Sequence, residues 1–154
     1  MFFRPIDVEK DKNIIIKFRK DTYVLSFGTE EGFDETAYMT RLRERVNKFP
    51  NGQVLLVEGD RPIGQIGLFI TELEGSEIGY VNLYYLISEF RGKGIGKELI
   101  NYAENFFRES NISEYHLRVS STNQSAIRLY TNSGMEKVRE ENEKFPVWRM
   151  RKLL

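Results

Sequence analysis

The sequence contains no cysteine, one histidine and four prolines in 154 residues. Without cysteine there is no disulfide, no thiolate nucleophile and no thiolate metal site. His116 has no partner at metal-ligand spacing, which argues against a zinc centre and predicts a structural strand residue. Net charge is missing too, because 23 lysines and arginines balance 23 aspartates and glutamates. No global field draws such a chain to nucleic acid or to a membrane surface, so any anion site must be local. No apolar run approaches the ~18 residues that span a bilayer. The opening "MFFRPIDVEKDKN" turns charged early and has no apolar signal core. A cytoplasmic protein is expected.

What is present describes one ordinary globular unit, residues 1–154, with 40% apolar and 30% charged residues. A domain of this size buries roughly 70% of its unfolded surface, enough for a core of its own. The hydrophobic pattern predicts a short strand at residues 2 to 5 and a helix opened by Asp7 that carries Ile14, Ile15, Ile16 and Phe18. The stretch "DTYVLSFGTEEGFDE" reads as irregular. Asp34 is placed to cap a second helix, whose Tyr38, Leu42 and Val46 recur every four residues and which ends near Pro50. "QVLLVEGDRPIGQIGLFI" reads as two strands turning at "EGDRP", and "EIGYVNLYYLI", apolar on both alternating sets, as a central strand covered on both faces. A helical stripe from Ile95 to Phe107, a strand "EYHLRV", a short helix "NQSAIRLYTNSG" and a terminal strand follow. The expected order is βααββββαβαββ: a mixed α+β fold, its sheet mostly antiparallel with one parallel pair, its helices on both faces.

One junction stands out, "YLISEFRGKGIGKELI", where Gly92, Gly94 and Gly96 alternate with Arg91, Lys93 and Lys97. A helix starting there points unpaired N–H groups and its positive dipole end back along its axis. Glycines let a phosphate lie against those amides, and the cations add charge-assisted bonds. The spacing fits neither the P-loop nor the dinucleotide fingerprint, since Lys97 is followed by Glu98 and the glycines run G-x-G-x-G. A tight turn flanked by solvated lysines would produce the same letters. Downstream, Asn123, Ala126 and Tyr130 share one face of the predicted short helix, with Asn123 as its N-cap and Gly134 as its stop.

Together these two motifs resemble the GNAT N-acetyltransferase superfamily, whose signature is [QR]-x-x-G-x-[GA] after a central strand, then N-x-x-[AS]-x-x-x-Y-x-x-x-G-[FM]. Arg91, Gly94 and Gly96 fill the first; Asn123, Ala126, Tyr130, Gly134 and Met135 fill the second. The likeness is strong over residues 77 to 140 and rests on element order before that. It implies acetyl-CoA as cosubstrate and no metal. The coenzyme A pyrophosphate would lie on the amides of Gly92, Lys93, Gly94, Ile95, Gly96 and Lys97 beside Arg91. Its pantetheine arm would pair near Leu86 and Ile87, with Asn123 and Ala126 alongside and Tyr130 as the acid beside the sulfur.

The implied reaction moves an acetyl group to a primary amine on a small molecule or a protein, and the likeness allows a homodimer. A non-catalytic acyl-CoA sensor and an adenine-nucleotide module remain alternatives. Two departures from the family pattern stand out. Asn82 occupies the place where a carboxylate often relays the amine's proton, leaving Glu77 as the strand's one carboxylate, and Ser88 replaces a common proline. Tyr23, Phe27, Glu30, Glu31 and Phe33, with Glu140, Glu141 and Glu143, suggest an acidic and aromatic cleft suited to a cationic amine, or else solvated loops. Trp148 is expected in the core.

Overall fold

The computed structural model describes residues 1–142 and 145–154. Glu143, one of the acidic candidates, lies outside them. Seven strands form one sheet: β1 (Phe2–Pro5), β2 (Gln53–Glu58), β3 (Arg61–Leu73), β4 (Ser76–Leu86), β5 (Glu114–Ser120), β6 (Glu136–Asn142) and β7 (Pro146–Leu153). The spatial order is β1-β2-β3-β4-β5-β7-β6, and every pairing is antiparallel except β4 with β5. The helices are α1 (Lys12–Phe27), α2 (Glu35–Lys48), α3 (Gly96–Glu109) and α4 (Gln124–Asn132).

The mixed α+β class stands, with three corrections. Residues 53–86 make three consecutive strands rather than four, because β3 and β4 are long and meet in one continuous hairpin. Asp7 does not open α1. Its carboxylate accepts from the amides of Glu9 and Lys10 in a preceding turn, and the helix starts after Asp11. The supposedly irregular stretch is helical through Phe27, where Gly28 at φ +74° closes α1 in the left-handed conformation. Asp34 does cap α2, its Oδ1 accepting from the Ala37 amide at 3.0 Å.

Both faces of the sheet are covered. Ile15, Ile16 and Phe18 of α1, with Tyr38, Met39 and Leu42 of α2, pack on Leu55, Val57, Leu83 and Tyr85. Leu99, Ala103 and Phe107 of α3, with Ile127 of α4, pack on Val54, Leu56, Ile66, Leu68 and Val81. Each of the large aliphatic and phenylalanine side chains among them contributes about 1.5–3 kcal/mol by leaving water. Phe107 lies where a side chain on Gly79 would stand, so that glycine sets how closely α3 lies on the sheet.

Two features of β4 position the site. Gly67 pairs with Leu83 and Leu68 with Val81, so Asn82 is an extra residue in a β-bulge. The bulge switches the strand's parity: Val81 faces α3, whereas Leu83 and Tyr85 face α1 and α2. The pairing of β4 with β5 stops at Val81 with Leu117, although β4 runs on to Leu86 and β5 to Ser120. Beyond the bulge the two parallel strands separate and leave the edge of β4 open.

Candidate active site

The separation of β4 and β5 opens a cleft of about 470 Å³. The β4 edge from Val81 to Leu86 forms one wall, α4 with the end of β5 forms the other, and the glycine loop closes one end. Of the residues expected at this site, Leu86, Arg91, Gly92, Gly94, Gly96, Asn123, Ala126 and Tyr130 line the cleft. Ile87, Lys93, Ile95 and Lys97 do not contribute to its lining. The Ile95 side chain belongs to the core, leaving only its amide for the loop, and Ile87 packs against the hydrophobic cores. Lys93 and Lys97 are exposed, with the Lys93 ammonium 5.6 Å from the Phe90 ring centroid.

The glycines of the loop serve different ends. Gly92 and Gly94 are left-handed (φ +74° and +83°), a conformation that costs other residues ~1–2 kcal/mol. Gly96 needs no special dihedral. A side chain there would meet Leu129 of α4. From Gly92 to Gly96 the amides have no acceptor among the described residues; the first bond of the helix entry is Lys97 N–H to Gly94 O, at 3.3 Å. No side chain caps α3. A helix start with free amides, glycine backbone and Arg91 beside it is chemically suited to receive an anion. Arg91 is fixed by its Nε, which donates to Leu86 O at 2.8 Å, and its guanidinium lies 5.6 Å from the Tyr85 ring.

The opposite wall is α4. Asn123 caps it, Oδ1 accepting from the Ala126 amide at 3.2 Å, so its amide nitrogen remains as a donor toward the cleft. Tyr130 lies deep in the cleft, its ring 5.9 Å from that of Tyr84. Burial pushes the Tyr130 phenol up to about 12, which keeps it protonated across the neutral range. Tyr84 beside it is half-buried, with its hydroxyl out of water, and that burial with Tyr115 nearby holds its phenol well above the ordinary value.

A second cavity of about 380 Å³ lies on the α1 side of the sheet. It shares Thr22, Ser26, Val81, Asn82, Arg118 and Ser120 with the first, so the two meet at the bulge. Tyr23 and Phe27 line it, together with Phe145, which stacks on Phe27 at 4.6 Å. The acidic expectation is corrected here. No carboxylate lines either cavity among the described residues, and the charged residues of the second are Arg19 and Arg118. Glu30, Glu31 and Glu140 do not line it, while Glu141 is held between Arg118 (2.7 Å) and Arg139 (2.9 Å). Phe33 packs against Tyr23 and Tyr38 rather than lining the cavity.

His116 is structural. Its Nδ1 accepts from Arg149 Nε at 2.9 Å, its Nε2 meets Glu114, and burial holds its pKa below the usual histidine value. Trp148 is half-buried against the core. Thr22, Leu25 and Ser26 of α1, with Arg118 and Ser120 of β5, also line the first cleft. Strand alternation puts Arg118 and Ser120 on one face of β5, and the strand separation makes that face border the cavity.

A sheet split between two parallel strands, with a free-amide helix start at the split, sets an anion-accepting loop at the end of an extended cleft. The profile of the acetyltransferase (GNAT) family matches residues 17–135, and the chain belongs to that family. It is 26% identical over 125 residues to an uncharacterised N-acetyltransferase of Methanocaldococcus jannaschii. That match takes in 75% of this chain and 55% of the relative, so the chain spans about half the relative's length. Among solved structures, ribosomal-protein-alanine N-acetyltransferase from Brucella melitensis superposes with a TM-score of 0.81 at 19% identity, over 100% of both chains. A chain of the NatC complex bound to Gag peptide and CoA superposes at 0.76 and 19% identity, over 99% of this chain and 98% of that one. At such identities the likeness establishes the fold. No helix among the described residues is long and apolar enough to cross a membrane.

Proposed function

We propose that the protein is an acetyl-CoA-dependent N-acetyltransferase that acylates a primary amine, acting as a single cytoplasmic domain without a metal. The observation that carries this is the cleft between β4 and β5, which runs from the free amides of Gly92–Gly96 to the phenol of Tyr130. Acetyl-CoA, when bound, supplies the activated thioester. Toward it, the loop amides and Arg91 hold the diphosphate, while the open β4 edge and the Asn123 amide nitrogen hold the pantetheine. A free β4 amide beside the bulge donates to the thioester carbonyl. Tyr130 gives its proton to the departing sulfur.

The energetics of that last step are acceptable. Against a thiol reference near 8.5, a phenol at about 12 makes the transfer uphill by about 3.5 units, or ~5 kcal/mol. That is larger than an ordinary tyrosine would impose, but the buried sulfur also resists carrying charge, which narrows the gap. The amine's proton leaves to water, since no carboxylate borders either cavity among the described residues. Arg19 and Arg118 beside the amine disfavour its ammonium form and assist that loss.

The same missing carboxylate favours a second reading, an acyl-CoA sensor that holds the ligand without transferring it. One experiment separates the two: coenzyme A release from acetyl-CoA, read by a thiol reagent, with pooled primary amines and amine-bearing peptides as acceptors. The cysteine-free chain keeps the thiol background low. Amine-dependent release establishes the transferase. Saturable binding of acetyl-CoA with no release across the pool supports the sensor. A homodimer would form through one of the open sheet edges, β1 or β6.

A further inference from the structure

The second cavity has an unusual electrostatic character for a site that receives an amine. Arg19 has no carboxylate within 4.0 Å and no side-chain hydrogen bond among the described residues, and its guanidinium rests 5.6 Å and 5.8 Å from the Tyr23 and Tyr38 rings. Arg118 donates from Nε to Glu141 and from Nη1 to the Tyr80 hydroxyl at 3.1 Å. Neither bond uses its Nη2. Glu141 is shared with Arg139, so one carboxylate serves two guanidiniums. Behind Tyr80 lies Arg149, its guanidinium 5.9 Å from that ring, buried and bonded to a histidine rather than to a carboxylate. Glu114 sits beyond that histidine, at the far side from the cavity.

Among the described residues the cavity wall therefore carries an excess of positive charge in a partly desolvated space. A lone ammonium is repelled there, whereas an anionic group on the acceptor would be drawn in and paired. Tyr23, Phe27, Phe145 and Val147 give the rest of the wall an aromatic and apolar stretch, while the hydroxyls of Thr22, Ser26 and Ser120 and the Asn82 amide lie where it meets the first cleft.

We propose that the acceptor is an amine that also carries a carboxylate, held by Arg19 and the Nη2 group of Arg118, with its apolar body against Tyr23, Phe27 and Phe145. This rests on the transferase reading for the identity of the site, but not for its charge preference. Arg19 and Arg118 are the specificity determinants. The carboxylate belongs either to a free amino acid or to an acidic side chain next to a peptide N-terminus. Guanidinium–carboxylate pairing is common to both.

The test uses two matched pairs that differ only in that charge. One is L-phenylalanine and its carboxamide; the other is a C-terminally amidated peptide beginning Met-Asp and its Met-Asn counterpart. Each is titrated by calorimetry into protein saturated with coenzyme A, and each is assayed as acceptor with acetyl-CoA. The carboxylate member of at least one pair is expected to bind at least about tenfold more tightly, and the pair that responds identifies the source. Arg19→Gln should abolish the preference while leaving acetyl-CoA affinity unchanged, and Arg19→Lys should retain most of it.

Equal affinity within both pairs, no binding by any of the four, or a preference untouched by both Arg19→Gln and Arg118→Gln overturns the proposal. The transferase reading fails separately. Carboxylate-selective binding without coenzyme A release sinks the transferase and leaves the specificity. Release with the carboxamides as good as the carboxylates does the reverse. The carboxamide's amine is the weaker base and starts with more of its reactive neutral form, so a carboxylate preference in turnover has to overcome that bias.

Discussion

Leu129 Cδ2 lies 2.8 Å from the point where a Cβ on Gly96 would stand, so the first residue of α3 and the middle of α4 are in van der Waals contact across the floor of the cleft. The anion loop and the wall that carries Asn123 and Tyr130 are thereby held in one geometry. Gly96→Ala must displace the leucine toward the cleft it lines. We expect a stability loss of about 1 kcal/mol, the low end for overpacking against a side chain that can turn, and a several-fold weaker acetyl-CoA affinity. Leu129→Ala in the same chain should restore much of that affinity, and a thermodynamic cycle on the two changes would show the coupling. Gly94→Ala is different in kind. Its cost lies in the backbone, at φ +83° with nothing near the new methyl, and Leu129→Ala should not relieve it.

Tyr130→Phe removes the phenol and keeps the ring that packs near Tyr84. If the phenol delivers the proton to sulfur, kcat falls by about 100-fold, the lower part of the range for a general acid. Acetyl-CoA affinity, measured by titration, should change by less than about threefold because the ring contact survives. An unchanged kcat would move the acid role to another group.

Much of this site was legible in the letters, and the parts that were not share a cause. The glycine–cation loop and the Asn123–Ala126–Tyr130 face each depend on a local spacing, which sequence carries directly. The bulge at Asn82 does not. It arises from pairing between Gly67, Leu68 and a strand distant in sequence, and nothing in "YVNLYYL" distinguishes a bulged asparagine from a regular one. The charge of the second cavity is hidden from the sequence for the same reason. Glutamates near an opening look acidic in one dimension, but Arg118 and Arg139 from two strands claim Glu141, and Arg19 arrives from a helix far earlier in the chain. Helix α1 starts later than its sequence suggests because Asp7, a good capping residue, satisfies a turn instead, and Asp11 takes the position before the helix.

No carboxylate borders either cavity among the described residues, and this together with the raised Tyr130 pKa sets the expected pH profile. The reactive amine must be neutral, so kcat/KM for the acceptor should rise about tenfold per pH unit until the amine's own pKa, ~8 for a peptide N-terminus or ~10.4 for a lysine. The phenol must be protonated and titrates only at about 12, so no falling limb should appear below pH ~10. Tyr130→Phe should lower the whole line without changing its slope. A plateau beginning near pH 7 with a lysine acceptor would reveal a base within the site, and a fall beginning near pH 8 would reveal a different acid.

Arg4 and Asp11 tie β1 to the start of α1, the helix that carries Arg19 and Thr22. Asp11 is buried before the helix, where its carboxylate accepts from both terminal nitrogens of Arg4 on β1, at 2.8 Å and 2.9 Å, and from the Asp7 amide at 2.8 Å. The hydrogen bonds from Arg4 hold its pKa below the ordinary carboxylate value, against the opposing effect of burial. A carboxylate depressed in the folded state stabilises above its unfolded pKa, ~3.9, and loses that contribution as pH falls through the lower folded value. Asp11→Asn should therefore cost about 2 kcal/mol at pH 7, as for hydrogen bonds to a charged group, measured by urea denaturation. The gap between variant and parent should stay constant from pH 7 to about pH 5 and shrink below pH ~4, because the parent protonates and loses the same interaction. A gap that persists unchanged to pH 2 would mean that the carboxyl's shape and hydrogen bonds, rather than its charge, anchor the helix.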